Sequence, residues 1–293
     1  MQYTKTGIKD FNLAHIFECG QCFRWERQND GSYTGTAMGK IVNMRFEPEG
    51  RLTVDNCTEE EFMQIWTPYL DLERDYAKIK SGLKGEQIQK AVEYGYGIRI
   101  LKQDFWETLL SFIISQNNNI PRIKGCIEAL THRCGTKIGT YKGKDYYAMP
   151  EPEVLAGMTP DELAECRLGY RGPYLIKTAQ KVLEKGGALA AEKELRNCET
   201  FEEAQAALRE YPGVGPKVAS CTALFGLGFP DAFPIDVWMR RVMHRLYGMD
   251  EKDVRGMEDF AKKNFAPYGG IAQQYLFYYA RTLQIGAKSK GDK

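Results

Sequence analysis

Lys217 is the residue best placed to act as a nucleophile. It follows Pro212-Gly213-Val214-Gly215-Pro216 and falls in the first turn of an expected helix, at the positive end of that helix's dipole. An ammonium ion is disfavoured there. A lysine so placed, if also desolvated, is a candidate amine nucleophile. Asp236 lies nineteen residues later, just past Pro234, where it can cap the next helix and turn a carboxylate toward the lysine. The bland alternative is a phosphate-binding turn with a surface lysine and a capping aspartate. Spacing alone leaves both readings open.

The elements that must position this pair are a helix, a tight hairpin and a second helix. Phe201 to Glu210 places Ala204, Ala207 and Leu208 on one face. Pro212 to Gly215 breaks the pattern, and Pro216 suits the first position of a new helix, where its missing N–H costs nothing. That helix is expected to run through Val218, Ala219, Ala223 and Leu224 to Gly226. The two glycines allow close backbone approach, and the free N–H groups of the helix start favour an anion such as a DNA phosphate.

Composition narrows the setting. The chain has 293 residues, 43% hydrophobic and 27% charged, enough for one large or two modest domains. It contains no apolar run of membrane-spanning length and no apolar leader, so a cytoplasmic protein is expected. The eight cysteines are scattered, and only Cys19-Gly20-Gln21-Cys22 is a close pair. With no second pair and no paired histidines, reduced thiols and no metal are expected. The net charge is +1, but residues 1–96 carry 12 Lys+Arg against 15 Asp+Glu. Residues 97–293 carry 28 against 24, so the positive excess lies with the hairpin.

Along the chain, residues 22–55 read as an antiparallel meander, punctuated by Asn29-Asp30-Gly31 and Pro48-Glu49-Gly50. Helices are expected at 59–66 and 76–92, and the pattern is helical from Leu101 onward. The expected fold is α+β: an N-terminal antiparallel β-sheet domain with helices (1–96), then an all-helical helix–hairpin–helix domain (97–293).

Four further stretches carry polar or aromatic groups in unusual company: Cys19 to Trp25, Ser115 to Arg122, Leu168 to Tyr174, and Gln273 to Phe277. Each has an ordinary explanation alone: a glycine turn before a strand, a capping turn, a loop with a packed tyrosine, and a core aromatic. Together with Gly213-Val214-Gly215-Pro216-Lys217 and Pro234-Ile235-Asp236-Val237, they resemble the 8-oxoguanine DNA glycosylases. These belong to the helix–hairpin–helix superfamily with a Gly/Pro…Asp loop. The resemblance runs from about residue 8 to 283, with Gly-Gln-x-Phe-Arg-Trp, Asn-Asn-Asn-Ile-x-Arg, Gly-Tyr-Arg and Ala-Gln-x-x-Leu-Phe in the family's order.

The resemblance implies a bifunctional glycosylase and lyase acting, as a prokaryotic monomer, on duplex DNA with 8-oxoguanine opposite cytosine. It implies Lys217 as nucleophile and Asp236 as its catalytic carboxylate, with no cofactor. Gly20 resembles the glycine whose carbonyl accepts the N7–H of the lesion. Cys221 and Phe277 resemble the residues that sandwich the flipped base, and Gln273 the reader of its pairing edge. Asn117, Arg122 and Arg171 resemble the holders of the widowed cytosine, and Tyr170 the wedge beside it. Gly213, Val214 and Gly215 resemble the phosphate-binding hairpin, which in this superfamily can also hold a monovalent cation. Two departures stand out: Trp238 occupies a histidine position of many eukaryotic members, and Phe225 replaces a more flexible residue.

Overall fold

The computed structural model describes residues 1–285. Five antiparallel strands form the N-terminal sheet: β1 (Gln2–Lys5), β2 (Trp25–Arg27), β3 (Tyr33–Ala37), β4 (Lys40–Glu47) and β5 (Arg51–Asp55). Their order is β1-β5-β4-β3-β2. The expected meander is β2 to β5. To this is added β1, which pairs Gln2 with Asp55 and Lys5 with Leu52. β1 is only four residues long and mostly exposed, so it carries little of the apolar alternation by which a strand is read. One face of the sheet packs a core of Phe11, Phe17, Trp25, Met44, Val54, Phe62 and Trp66. Phe17 stacks on Trp25 at 4.0 Å, and Trp25 Nε1 donates to the Tyr69 hydroxyl at 2.9 Å.

The second core is helical. The helix Phe105–Ile114 is buried almost all round, as an apolar run without a polar face must be. Asp104 caps it through Glu107 N–H at 2.7 Å. Around it pack the helices Ile120–Cys134, Gly172–Glu184 and Pro216–Thr222, and Gly269–Thr282 joins the same core against Glu86–Tyr94. The helices Tyr76–Gly82 and Glu86–Tyr94 also bury Tyr76, Ile79, Ile88 and Ala91 in this core. The boundary between the two cores therefore does not coincide with a single point in the chain. Among the described residues no helix is long and apolar enough to cross a membrane.

The helical part is not entirely helical. Lys137–Tyr141 and Lys144–Tyr147 form a two-stranded hairpin, β6 and β7, with β6 packed against β4, the central strand of the N-terminal sheet. Its turn, Lys142-Gly143, has positive φ at both residues (48° and 80°), the geometry that matches hairpin twist. Lys144 ties the hairpin down through Glu26 at 2.9 Å and Glu128 at 3.1 Å. Exposed surface pairs such as these leave no apolar signature in the sequence.

Candidate active site

The lysine is delivered as its local sequence requires. Phe201–Leu208 ends, and Gly213 takes φ of +80°, a region that favours glycine. A Cβ on Gly213 would lie 2.6 Å from the Tyr174 ring, so packing also excludes a side chain. The helix Pro216–Thr222 then begins at Gly215 with no side-chain cap, and a π-helical turn, Ala223–Leu227, extends it. The hairpin carbonyls are braced from outside: Thr178 Oγ1 donates to Pro212 at 2.8 Å and Gln116 Nε2 to Gly213 at 2.9 Å.

Lys217 is half-buried. Its Nζ donates to Ser115 Oγ at 3.0 Å and lies 4.9 Å from the centre of the Phe112 ring. One turn further on is Cys221, buried, its thiol pushed up to about 11. Burial outweighs the opposing field of Lys217, and Asp236 adds to the rise, which places all three groups in one electrostatic neighbourhood. The thiol therefore stays neutral near pH 7. Asp236 caps Val237–Tyr247, its Oδ1 accepting Met239 N–H at 2.7 Å. Lys217 and Asp236 form no ion pair within 4.0 Å; the lysine is held by Ser115.

A second wall is built around Gly20, whose φ is +91°. A Cβ there would lie 3.4 Å from Phe277, 3.5 Å from Arg281 Nη1 and 3.8 Å from Ile120. Gly20 thus faces the expected base-stacking residue directly. Gln21, fully buried, fixes the loop: its Nε2 donates to the carbonyls of Ile16 at 2.9 Å and Arg99 at 2.8 Å, and its Oε1 accepts Leu101 N–H at 2.9 Å. Three bonds from one amide anchor the loop that carries Gly20. Gln273 is 4% exposed, and its Oε1 accepts from Gln274 Nε2 at 2.7 Å. The two walls meet through Phe112, which contacts Phe23 edge-on at 5.7 Å and carries Lys217 on its face.

The opposite-base residues divide. Asn117, exposed with φ of +46°, donates from Nδ2 to the Tyr170 hydroxyl at 3.2 Å, and Tyr170 is half exposed. Arg122 is exposed, with no side-chain hydrogen bond or ion pair among the described residues. Arg171 differs from the loop cation the sequence suggests. It is 3% exposed, and its Nε donates to the Gln116 carbonyl at 2.8 Å. Its other nitrogens reach the carbonyls of Asn117 at 3.1 Å and Leu168 at 3.2 Å. A guanidinium so occupied braces the Gln116-Asn117 turn.

Trp238 is half-buried, its Nε1 without a partner among the described residues. Phe225 is buried and stacks on Phe112 at 5.5 Å, so this departure supports the floor beneath the lysine. Ser115, Gln21 and Arg281 are the residues that sequence reasoning passes over. Ser115 and Gln21 lie inside the motifs above, but nothing in their spacing says which neighbour they bond. Arg281 Nη1 is buried without a partner among the described residues, beside Gly20, while its Nη2 holds the Glu18 carbonyl.

Comparison with known proteins gives a consistent picture. Residues 4–109 match the model of the 8-oxoguanine DNA glycosylase N-terminal domain, and residues 110–267 that of the HhH-GPD superfamily of base excision DNA repair proteins. The chain is 30% identical over 289 residues to the N-glycosylase/DNA lyase OGG1 of Arabidopsis thaliana, covering 92% of this chain and 77% of that protein. It is 31% identical over 273 residues to the N-glycosylase/DNA lyase of Saccharomyces cerevisiae, covering 80% and 68%. Among solved structures, the Clostridium acetobutylicum 8-oxoguanine glycosylase/lyase, in complex with duplex DNA containing cytosine opposite 8-oxoguanine, superposes with a TM-score of 0.89. That match is at 40% identity and covers 97% of this chain and 99% of that one.

Proposed function

Since the chain belongs to the 8-oxoguanine DNA glycosylase family, as an N-glycosylase with DNA lyase activity, we propose that it removes 8-oxoguanine paired with cytosine and nicks the strand through a Lys217 Schiff base. The observation that carries this reading is the half-buried Lys217 amine, held on Ser115 at the start of an uncapped helix in the neighbourhood of Cys221 and Asp236.

A base stacked in duplex DNA is out of reach of this amine, so the lesion must leave the helix, at a cost of a few kcal/mol. The N–H groups of Gly213, Gly215 and the helix start receive a backbone phosphate, the Val214 N–H being committed to the Tyr211 carbonyl at 3.0 Å. The base enters between Phe277 and Cys221, with the Gly20 carbonyl accepting the N7–H that guanine lacks. Guanine offers a lone pair at that point, setting acceptor against acceptor. The neutral Cys221 thiol suits a stacking surface.

Lys217 Nζ, unprotonated, then bonds to C1′ while the C1′–N9 electron pair departs with the base, which takes up a proton. Asp236, near but not paired with the amine, stabilises the positive charge developing on the sugar. Ring opening of the aminal gives a C1′ imine. Loss of a C2′ proton expels the 3′ phosphate by β-elimination, and water releases the lysine. On the other strand, Arg122 and Asn117 supply donors to the N3 and O2 of the unpaired cytosine. Arg171 contributes by holding the turn that presents Asn117.

Borohydride trapping tests the reading. Duplexes with 8-oxoguanine opposite each of the four bases are incubated with enzyme and reductant. A covalent adduct, most abundant opposite cytosine and absent with Lys217→Gln, is expected. An undiminished adduct in Lys217→Gln would place the nucleophile elsewhere.

A further inference from the structure

We propose that Ser115 is the positioning residue for the Lys217 nucleophile, holding its amine through a hydrogen bond whose direction the local helix end dictates. This rests on the reading of Lys217 given above.

The argument begins with the hydroxyl's single proton. Ser115 ends the helix Phe105–Ile114, and its Oγ donates to the Phe112 carbonyl at 2.8 Å. With its proton committed, Oγ faces Lys217 as an acceptor only, and Nζ donates to it at 3.0 Å. An ammonium has three N–H groups and an amine two, so the bond survives deprotonation. In the amine it leaves the lone pair directed away from Ser115 and free to attack. A lysine stem has four carbons and many rotamers, and a nucleophile misplaced by about 1 Å loses on the order of a hundredfold in rate. The Phe112 ring beneath Nζ is non-directional, Asp236 is not in ion-pair range, and the Cys221 thiol beside Nζ is a weak sulfur partner, so Ser115 supplies the strong oxygen acceptor.

The same turn also fixes the backbone that carries the lysine. Gln116, the next residue, donates from Nε2 to the Gly213 carbonyl, four residues before Lys217. The Gln116 carbonyl is in turn gripped by Arg171 and by the Tyr170 hydroxyl at 3.3 Å. Ser115 and Gln116 therefore set the far and near ends of the nucleophile from one braced segment. Preorganisation of this kind costs nothing at the moment of reaction.

The test compares Ser115→Thr with Ser115→Val, which share shape and differ in the hydroxyl, alongside Ser115→Ala. Single-turnover excision of 8-oxoguanine opposite cytosine is measured at saturating enzyme, with lesion-DNA affinity and thermal melting in parallel. Valine and alanine are expected to slow the chemical step by about tenfold to a hundredfold, with affinity changed by less than about twofold. Threonine is expected to retain most of the wild-type rate. Equal rates for threonine and valine overturn the proposal, as does a loss confined to binding. Should alanine fold poorly, the threonine–valine pair, matched in volume, still decides. Trapping by Lys217→Gln in the same assay addresses the nucleophile separately, so either idea can fail alone.

Discussion

Arg122, on the helix that follows the Asn117 turn, and Arg171, on the 3₁₀ turn packed beneath it, do opposite things. Arg122 is exposed, with every side-chain donor free among the described residues. Arg171 is buried and spends its guanidinium on three backbone carbonyls. The difference lies in what surrounds them. Arg171 follows Gly169-Tyr170 on a 3₁₀ turn packed under the Gln116 carbonyl, whereas Arg122 sits on the outer face of the first turn of Ile120–Cys134. A polar side chain whose bonds are already made serves as a brace, and one with open valences is available to DNA. By that measure Gln21 joins Arg171 as a brace. So does Arg99, whose guanidinium donates to the carbonyls of Asp10 at 3.1 Å, Asp71 at 2.6 Å and Lys9 at 2.8 Å. Asp236 and Arg122 are the proposed actors.

The largest effect is expected for an actor at the chemical step. Asp236→Asn keeps the cap on Met239 N–H but removes the charge. It should slow single-turnover excision by about 10²–10³-fold, with lesion affinity little changed. A loss seen only in binding would move Asp236 among the braces.

Arg171→Ala sharpens the contrast from the other side. It strips donors from three carbonyls, each costing about 1–3 kcal/mol when left buried and unpaired. A loss of stability on the order of 3 kcal/mol in urea unfolding is expected, with reduced excision whichever base is opposite. A stable variant defective only opposite cytosine would make Arg171 a reader after all.

Arg122→Ala should leave unfolding within about 0.5 kcal/mol of wild type. The apparent barrier to excision opposite cytosine should rise by about 1–3 kcal/mol, and much less opposite adenine. Equal losses across the four opposite bases would assign Arg122 to the phosphate backbone.

The smallest effect concerns a charged brace. Glu107 pairs with Arg24 at 2.8 Å, and Arg24 also holds the Tyr147 carbonyl, linking sheet, helix and hairpin. Burial raises the Glu107 carboxyl above its usual range; Arg24 only partly opposes this, and the nearby Asp104 charge adds to it. Because the folded value exceeds the unfolded one, wild type loses stability as pH rises from the unfolded value through the folded one. Glutamine does not titrate, so Glu107→Gln escapes that loss. Its stability deficit relative to wild type should therefore shrink as pH rises above the usual carboxylate range, as read by urea unfolding from about pH 4 upward. A deficit that widened instead would show the Arg24 pair to dominate burial.

Much of this arrangement is legible in residue order. Glycine, proline and a capping aspartate act within a few residues of themselves, so the hairpin before Lys217 and the helix start at Asp236 can be read directly. Gly20 and Phe277 stand out through a motif resemblance, and their mutual contact requires both cores to assemble. The β6–β7 hairpin escapes a sequence reading because it is held by surface charge pairs and buries none of its residues fully.

By itself the sequence determined the α+β plan and the lysine-bearing turn, since these depend on short-range periodicity and backbone preference; the groups expected to meet a flipped base came from the motif resemblance. Tertiary structure decided which of those groups remained free. Ser115 reaches Lys217 across 102 residues, Gln116 reaches Gly213 across 97, and Arg171 reaches Gln116 across 55. A donor's partner is set by whichever acceptor packing brings within about 3 Å, and no local pattern records that distance.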